Sequence, residues 1–191
     1  GIFGKTNSGK SAFINAFSGQ AVSIVADVKG TTTDPVYKAM EIAPLGPCVL
    51  IDTAGFDDEG ELGAMRMEKT ALAAQKTELA LILFASEDME TELEWFRYFQ
   101  GKKTPVIPVV SKSDLRSEKE NQTFAEKLRE QTKEKVCIVS AKTGAGIAEL
   151  KERMIRMVPE GFGSRTITGD LVSEGDVVLL VMPQDIQAPK G

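Results

Sequence analysis

Eight residues near the start of the chain have types and spacing suited to phosphate chemistry: Gly4-Lys5-Thr6-Asn7-Ser8-Gly9-Lys10-Ser11. Glycine, four residues, glycine, lysine and a hydroxyl residue form a phosphate-cradling loop when a strand precedes them and a helix follows. Here Gly1 to Phe3 reads as the tail of a buried strand. Ser11 to Ser18 reads as a helix with Ala12, Phe13, Ala16 and Phe17 on one face. In that geometry the amides around Asn7, Ser8, Gly9 and Ala12 and the positive helix end converge on phosphate. Lys10 reaches the β and γ phosphates, and the Ser11 hydroxyl serves Mg²⁺.

Four further clusters extend this chemistry. Gly30-Thr31-Thr32-Thr33-Asp34-Pro35 is a polar loop in which Thr32 is the best candidate for a second hydroxyl on Mg²⁺. Asp52-Thr53-Ala54-Gly55 follows an apolar run; Asp52 can hold Mg²⁺ through water and the Gly55 amide can bind the γ phosphate. Losing that phosphate would release both loops. Ser111-Lys112-Ser113-Asp114 and Ser140-Ala141-Lys142 close two later apolar runs. Guanine presents two donors on one edge, which the Asp114 carboxylate can accept together, and adenine has no such pair. The Ala141 amide suits guanine O6, and the Lys112 stem suits the ring face.

The elements that must position these residues alternate. Val36 to Ile42 reads as an edge strand in a hairpin with Cys48 to Ile51, and Ala21 to Lys29 is too mixed to assign. Strands are expected at Leu79 to Phe84, Pro105 to Val110 and Val136 to Val139. Helices are expected at Ala64 to Lys76, Glu90 to Gln100, Ser117 to Lys133 and Ile147 to Val158. In the charged helix Ser117 to Lys133, Phe124 and Leu128 point inward. Apolar strands alternating with helices imply an α/β fold, a mostly parallel sheet with one antiparallel edge strand and helices on both faces. Ligands of such sheets bind at the strands' carboxyl ends, where every motif falls.

With 191 residues, 42% of them apolar, the chain suits one main domain at 1–160. Pro159 to Ser164 opens a hinge placed at 161–168. Residues 169–191 hold two strand-like runs that begin a second, truncated unit. A net charge of -5 argues against broad nucleic-acid binding, and no apolar run reaches the length of a membrane span. Cys48 and Cys137 lack metal-ligand spacing and read as structural thiols, which suits a reducing cytoplasm.

Taken together, the glycine loop, the threonine loop, DTAG, the NKxD variant at 111–114 and SAK resemble the Ras-like small GTPases over residues 1–158. Within them the threonine loop and DTAG followed by Phe56 resemble the tRNA-modifying and ribosome-assembly branch. That resemblance implies GTP/GDP binding and slow GTP hydrolysis, with Lys10, Thr32 and Gly55 in catalytic roles. It further implies a K⁺ held partly by Asn7 in place of an arginine finger. Asp27 to Lys38, Asp57 to Gly63 and Gly169 to Gly191 also resemble the HydF family, maturation GTPases of [FeFe]-hydrogenase. That resemblance implies a homodimer in the full-length protein, contact with hydrogenase maturases and apo-hydrogenase, and an iron-sulfur cluster in a domain absent from this chain. The alternatives are a nucleotide-controlled tRNA-modification or ribosome-assembly factor, and a scaffold that holds GTP with negligible turnover. Two departures stand out. Ser111 replaces the usual Asn, which puts in question a contact bracing the phosphate loop, and neither Glu59 nor Glu61 clearly matches the activating Glu of the tRNA-modifying relatives.

Overall fold

The computed structural model describes residues 1–20, 24–28, 36–42, 44–53 and 69–158. In chain order these form β1 (Ile2–Phe3), α1 (Lys10–Gln20), β2 (Ile24–Val28), β3 (Val36–Ile42), β4 (Gly46–Asp52), helical residues 69–75 (α2), β5 (Ala80–Phe84), α3 (Glu90–Gly101), β6 (Val106–Val110), a 3₁₀ turn (Ser113–Leu115), α4 (Glu118–Thr132), β7 (Cys137–Ile138) and α5 (Ile147–Met157). The strands hydrogen-bond in the order β2-β3-β4-β1-β5-β6-β7. Strands β4, β1, β5, β6 and β7 are mutually parallel, and β3 runs antiparallel to both its neighbours.

The expected antiparallel strand is therefore present at its expected residues, but it is not the edge. Strand β2 lies outside it, formed by a segment that carries no readable strand period. The pairing itself explains the difference: the β2–β3 register is interrupted between Ile24 and Ala26, and an irregularity of that kind erases the period of two that a sequence reading relies on.

Alternation along the central strands divides the core into two layers. On β5, Leu81 and Leu83 face α1 and α5, where they meet Phe13, Phe17 and Leu150. Ala80, Ile82 and Phe84 face the other way, toward Phe96, Phe99 and Leu128 of α3 and α4. All five β5 residues are buried, as a strand covered on both faces requires. Helix α4 starts at a reciprocal cap: the Ser117 hydroxyl accepts from the Glu120 N–H, and the Glu120 carboxylate accepts from the Ser117 N–H. Phe124 and Leu128 are buried beneath it. Among the described residues no helix is long and apolar enough to cross a membrane.

Candidate functional site

Parallel pairing brings the carboxyl ends of β1, β4, β5, β6 and β7 to one edge of the sheet, and the chemistry-bearing residues follow those ends. The glycine loop leaves β1 and turns into α1, where the Phe13 N–H bonds to the Gly9 carbonyl. Gly4 has φ 157°, and a Cβ there would stand 2.6 Å from Ser8 Oγ and 2.9 Å from the Leu83 carbonyl oxygen, so the loop packs against β5 only without a side chain. Asn7 sits at φ 60°, a left-handed conformation that asparagine tolerates better than most residues, and its side chain is exposed. No acidic residue stands in the first turn of α1, so the helix itself contributes no negative charge at its positive end.

Lys10 is buried, with its ammonium drawn into the loop to donate to the carbonyls of Gly4 (2.8 Å) and Lys5 (2.7 Å). At the helix start, the Ser11 hydroxyl donates to Asp52 Oδ2 over 2.8 Å, joining α1 to the end of β4. The other carboxylate oxygen, Asp52 Oδ1, is buried with no hydrogen-bond partner among the described residues. Burial pushes the Asp52 carboxyl above its ordinary range, outweighing the Ser11 hydroxyl and the Lys10 ammonium, which act the other way. A buried carboxylate oxygen without a donor, beside a hydroxyl and under a phosphate loop, fits a hard divalent cation and its water shell.

The other side of the site is assembled from the segments that follow β6 and β7. Lys112 takes a left-handed conformation, φ 54°, and its stem lies over Gly9, 3.7 Å from where a Cβ would stand. Asp114 is exposed, and its Oδ1 accepts from the buried Ser140 hydroxyl at 2.6 Å. That bond, aided by nearby Lys142 and Arg116, holds the carboxyl below its ordinary value. Ser140 is itself fixed by the Thr143 N–H, which donates to its hydroxyl. Ser8, Gly9, Ala12, Lys112, Asp114, Ala141 and Lys142 line one cleft of about 220 Å³. The described candidate residues are thus brought together. Thr32, Gly55, Phe56, Glu59 and Glu61 lie outside the described residues, as do the hinge at 161–168 and residues 169–191.

Ser111 resolves one departure. Its buried hydroxyl donates to the Ser8 carbonyl at 2.8 Å, so a brace between the base-reading strand and the phosphate loop exists despite the loss of the asparagine. Arg116, which sequence reasoning did not single out, supports the same strand end. Its guanidinium donates to the carbonyls of Ser111 (2.5 Å) and Ala85 (2.9 Å) and lies against the Phe124 ring. The 3₁₀ turn Ser113–Leu115, which holds Asp114, folds Arg116 back to make this contact, so no local pattern announces it.

The profile of the 50S ribosome-binding GTPase family matches residues 1–112. The tRNA modification GTPase MnmE of Endomicrobium trichonymphae is 32% identical over 162 residues, covering 82% of this chain and 34% of that protein. GTPase Der of Wolinella succinogenes is 35% identical over 185 residues, covering 90% of this chain and 38% of that protein. The chain therefore spans about a third of the length of these relatives. Among solved structures, a single-residue variant of Aquifex aeolicus Era bound to GDP·AlF₄⁻ superposes with a TM-score of 0.69 at 26% identity, covering 84% of this chain and 56% of that one. With the phosphate loop, the Ser11–Asp52 pair and the Ser140-held Asp114 on one sheet edge of a Ras-like fold, this chain is a GTPase domain belonging to the 50S ribosome-binding GTPase family.

Proposed function

We propose that the chain binds GTP and hydrolyses it by attack of water on the γ phosphate, acting as the nucleotide switch of a larger protein. The observation that carries this reading is the single cleft shared by the phosphate loop and Asp114, whose carboxylate the Ser140 hydroxyl holds ionised and oriented. Such a group accepts two adjacent donors of guanine, and a site built on that pair rejects a base lacking it by about 10⁴. Catalysis rests on positioning and on charge. The Lys10 ammonium neutralises charge developing toward the leaving phosphate, and loop amides hold the phosphates in line. Ser11 and Asp52 would hold Mg²⁺, joined by Thr32, and Asn7 offers an amide oxygen to K⁺. When bound, these cations supply positive charge to the phosphate oxygens. Gly55 would sense the γ phosphate.

The relatives support a role in tRNA modification or ribosome assembly, since a tRNA modification GTPase stands among them and the matching family profile is one of ribosome-binding GTPases. A second reading, a HydF-type role in hydrogenase maturation, draws on the runs at 27–38, 57–63 and 169–191, the last of which lies beyond the family match. Under it the full-length protein dimerises and contacts maturases and apo-hydrogenase, with the iron-sulfur cluster carried elsewhere.

The first test is GTP hydrolysis in KCl against matched NaCl, with ATP as control and Lys10→Ala alongside. Turnover of GTP but not ATP, raised by K⁺ and lost in Lys10→Ala, is expected. Equal turnover of ATP, or full activity in Lys10→Ala, refutes the site assignment.

A further inference from the structure

The loop's second residue, Lys5, is tied away from the phosphate seat. Its ammonium lies 2.7 Å from Asp88 Oδ2, 2.8 Å from the Asp88 carbonyl and 3.6 Å from Glu92 Oε2. Asp88 is 81% exposed, and a pairing in water contributes little. Glu92 differs: it is 2% exposed, on the inner face of α3 beneath the loop. Its Oε2 has no hydrogen-bond partner among the described residues, so the Lys5 ammonium is the cation that faces it. Burial pushes this carboxyl upward, and a carboxylate held there without a cation would be costly.

The same residue, Lys5, presents its carbonyl to the working part of the loop. That oxygen accepts from the Lys10 ammonium at 2.7 Å and from the Ser8 N–H at 3.1 Å. Glu92 therefore holds Lys5 by its side chain, and the peptide of the same residue orients both Lys10 and the amide turn that cradles phosphate.

We propose that Glu92 is a positioning residue for nucleotide binding, acting through Lys5 to hold the phosphate loop and Lys10 in their binding geometry. The inference rests on the reading of that loop as the GTP site. Helix α3 thereby becomes the floor of the phosphate seat, so that anything displacing α3 loosens the nucleotide.

The test is a titration of the purified chain with fluorescently labelled GDP, paired with thermal melts of the nucleotide-free protein. Glu92→Gln keeps the size of the side chain but removes the charge facing the ammonium. It is expected to weaken GDP about tenfold. Lys5→Met leaves the Glu92 carboxylate buried alone, so its melting midpoint falls as well. In the double variant Lys5→Met/Glu92→Gln the orphan charge is gone and the melting midpoint recovers, while GDP binding stays weak. If GDP affinity recovers with the melting midpoint in the double variant, Glu92 has only a structural role and the proposal fails. Unchanged affinity in Glu92→Gln overturns it outright, without touching the GTPase reading. Failure of the unsubstituted chain to bind GDP overturns both.

Discussion

Replacing Asp52 with asparagine should move stability in opposite directions with and without nucleotide. In the nucleotide-free chain, Asp52 Oδ1 is buried and unpartnered, and Oδ2 has only the Ser11 hydroxyl. An unsatisfied buried polar atom costs about 1–3 kcal/mol, more when charged. Because the residue is half-buried, the low end applies, about 1 kcal/mol, or about 2–4 °C in melting temperature for a chain of this size. Asp52→Asn keeps an acceptor for Ser11 and replaces the charge with a neutral amide whose own unpaired NH₂ retains part of that cost, so the nucleotide-free variant should melt higher by no more than that amount near neutral pH. The folded carboxyl titrates above its unfolded value because of burial, so its ionisation penalises the folded state increasingly as pH rises through the folded value. The gap between variant and parent should be widest near neutrality and close below the ordinary carboxylate range. With Mg²⁺ and GDP added the order should invert. A tenfold loss of affinity removes about 1.4 kcal/mol of ligand-derived stability, which exceeds the gain. Melting scans from about pH 4 to about pH 8 in chelator, repeated with MgCl₂ and GDP, measure both effects. A variant that melts lower than the parent in chelator would show that Asp52 is well satisfied without a cation. One that gains as much from Mg²⁺ and GDP as the parent would refute its role as a metal ligand.

Two further substitutions separate binding from stability. Ser111→Ala removes the donor that, among the described residues, links the base-reading strand to the Ser8 carbonyl; a net loss of about 1 kcal/mol predicts a roughly five- to tenfold weaker GDP complex by titration, and unchanged affinity would mean the brace is idle. Ser117→Ala, at the α4 cap and outside the residues that line the cleft, should lower the melting temperature by about 2–4 °C and leave GDP affinity unchanged.

What could be read from the residues in advance was what depends on local pattern. The glycine loop followed by α1, the apolar runs that became β4, β5 and β6, and the inward pair Phe124 and Leu128 of α4 all carry their signals within a few residues. Asp52, Asp114 and Ser140 were legible for the same reason: Asp52 and Ser140 end or directly follow an apolar run and Asp114 stands four residues past one, and in a parallel sheet that places them on the ligand edge. Strand β2 was not legible because its period is broken, and its pairing with β3 supplies what its own sequence does not.

The contacts that tune the site lay furthest from view. Ser111 meets Ser8 across 103 positions in the chain, and Lys5 meets Asp88 across 83. A serine in place of asparagine looks like a lost brace until the fold shows that the hydroxyl alone spans the gap. A glutamate at an inward position of an amphipathic helix looks like a flaw in the apolar stripe until the loop above it presents a lysine. In both cases the polar residue is tolerated at a buried position because the phosphate loop supplies its partner, so the loop's shape and the core's integrity depend on the same bonds. It follows that nucleotide affinity and the packing of α3 and β6 are energetically coupled. Bound GDP should accordingly slow amide exchange in α3 and at the end of β6, well away from the phosphates, and exchange there that ignores GDP would show the coupling to be absent.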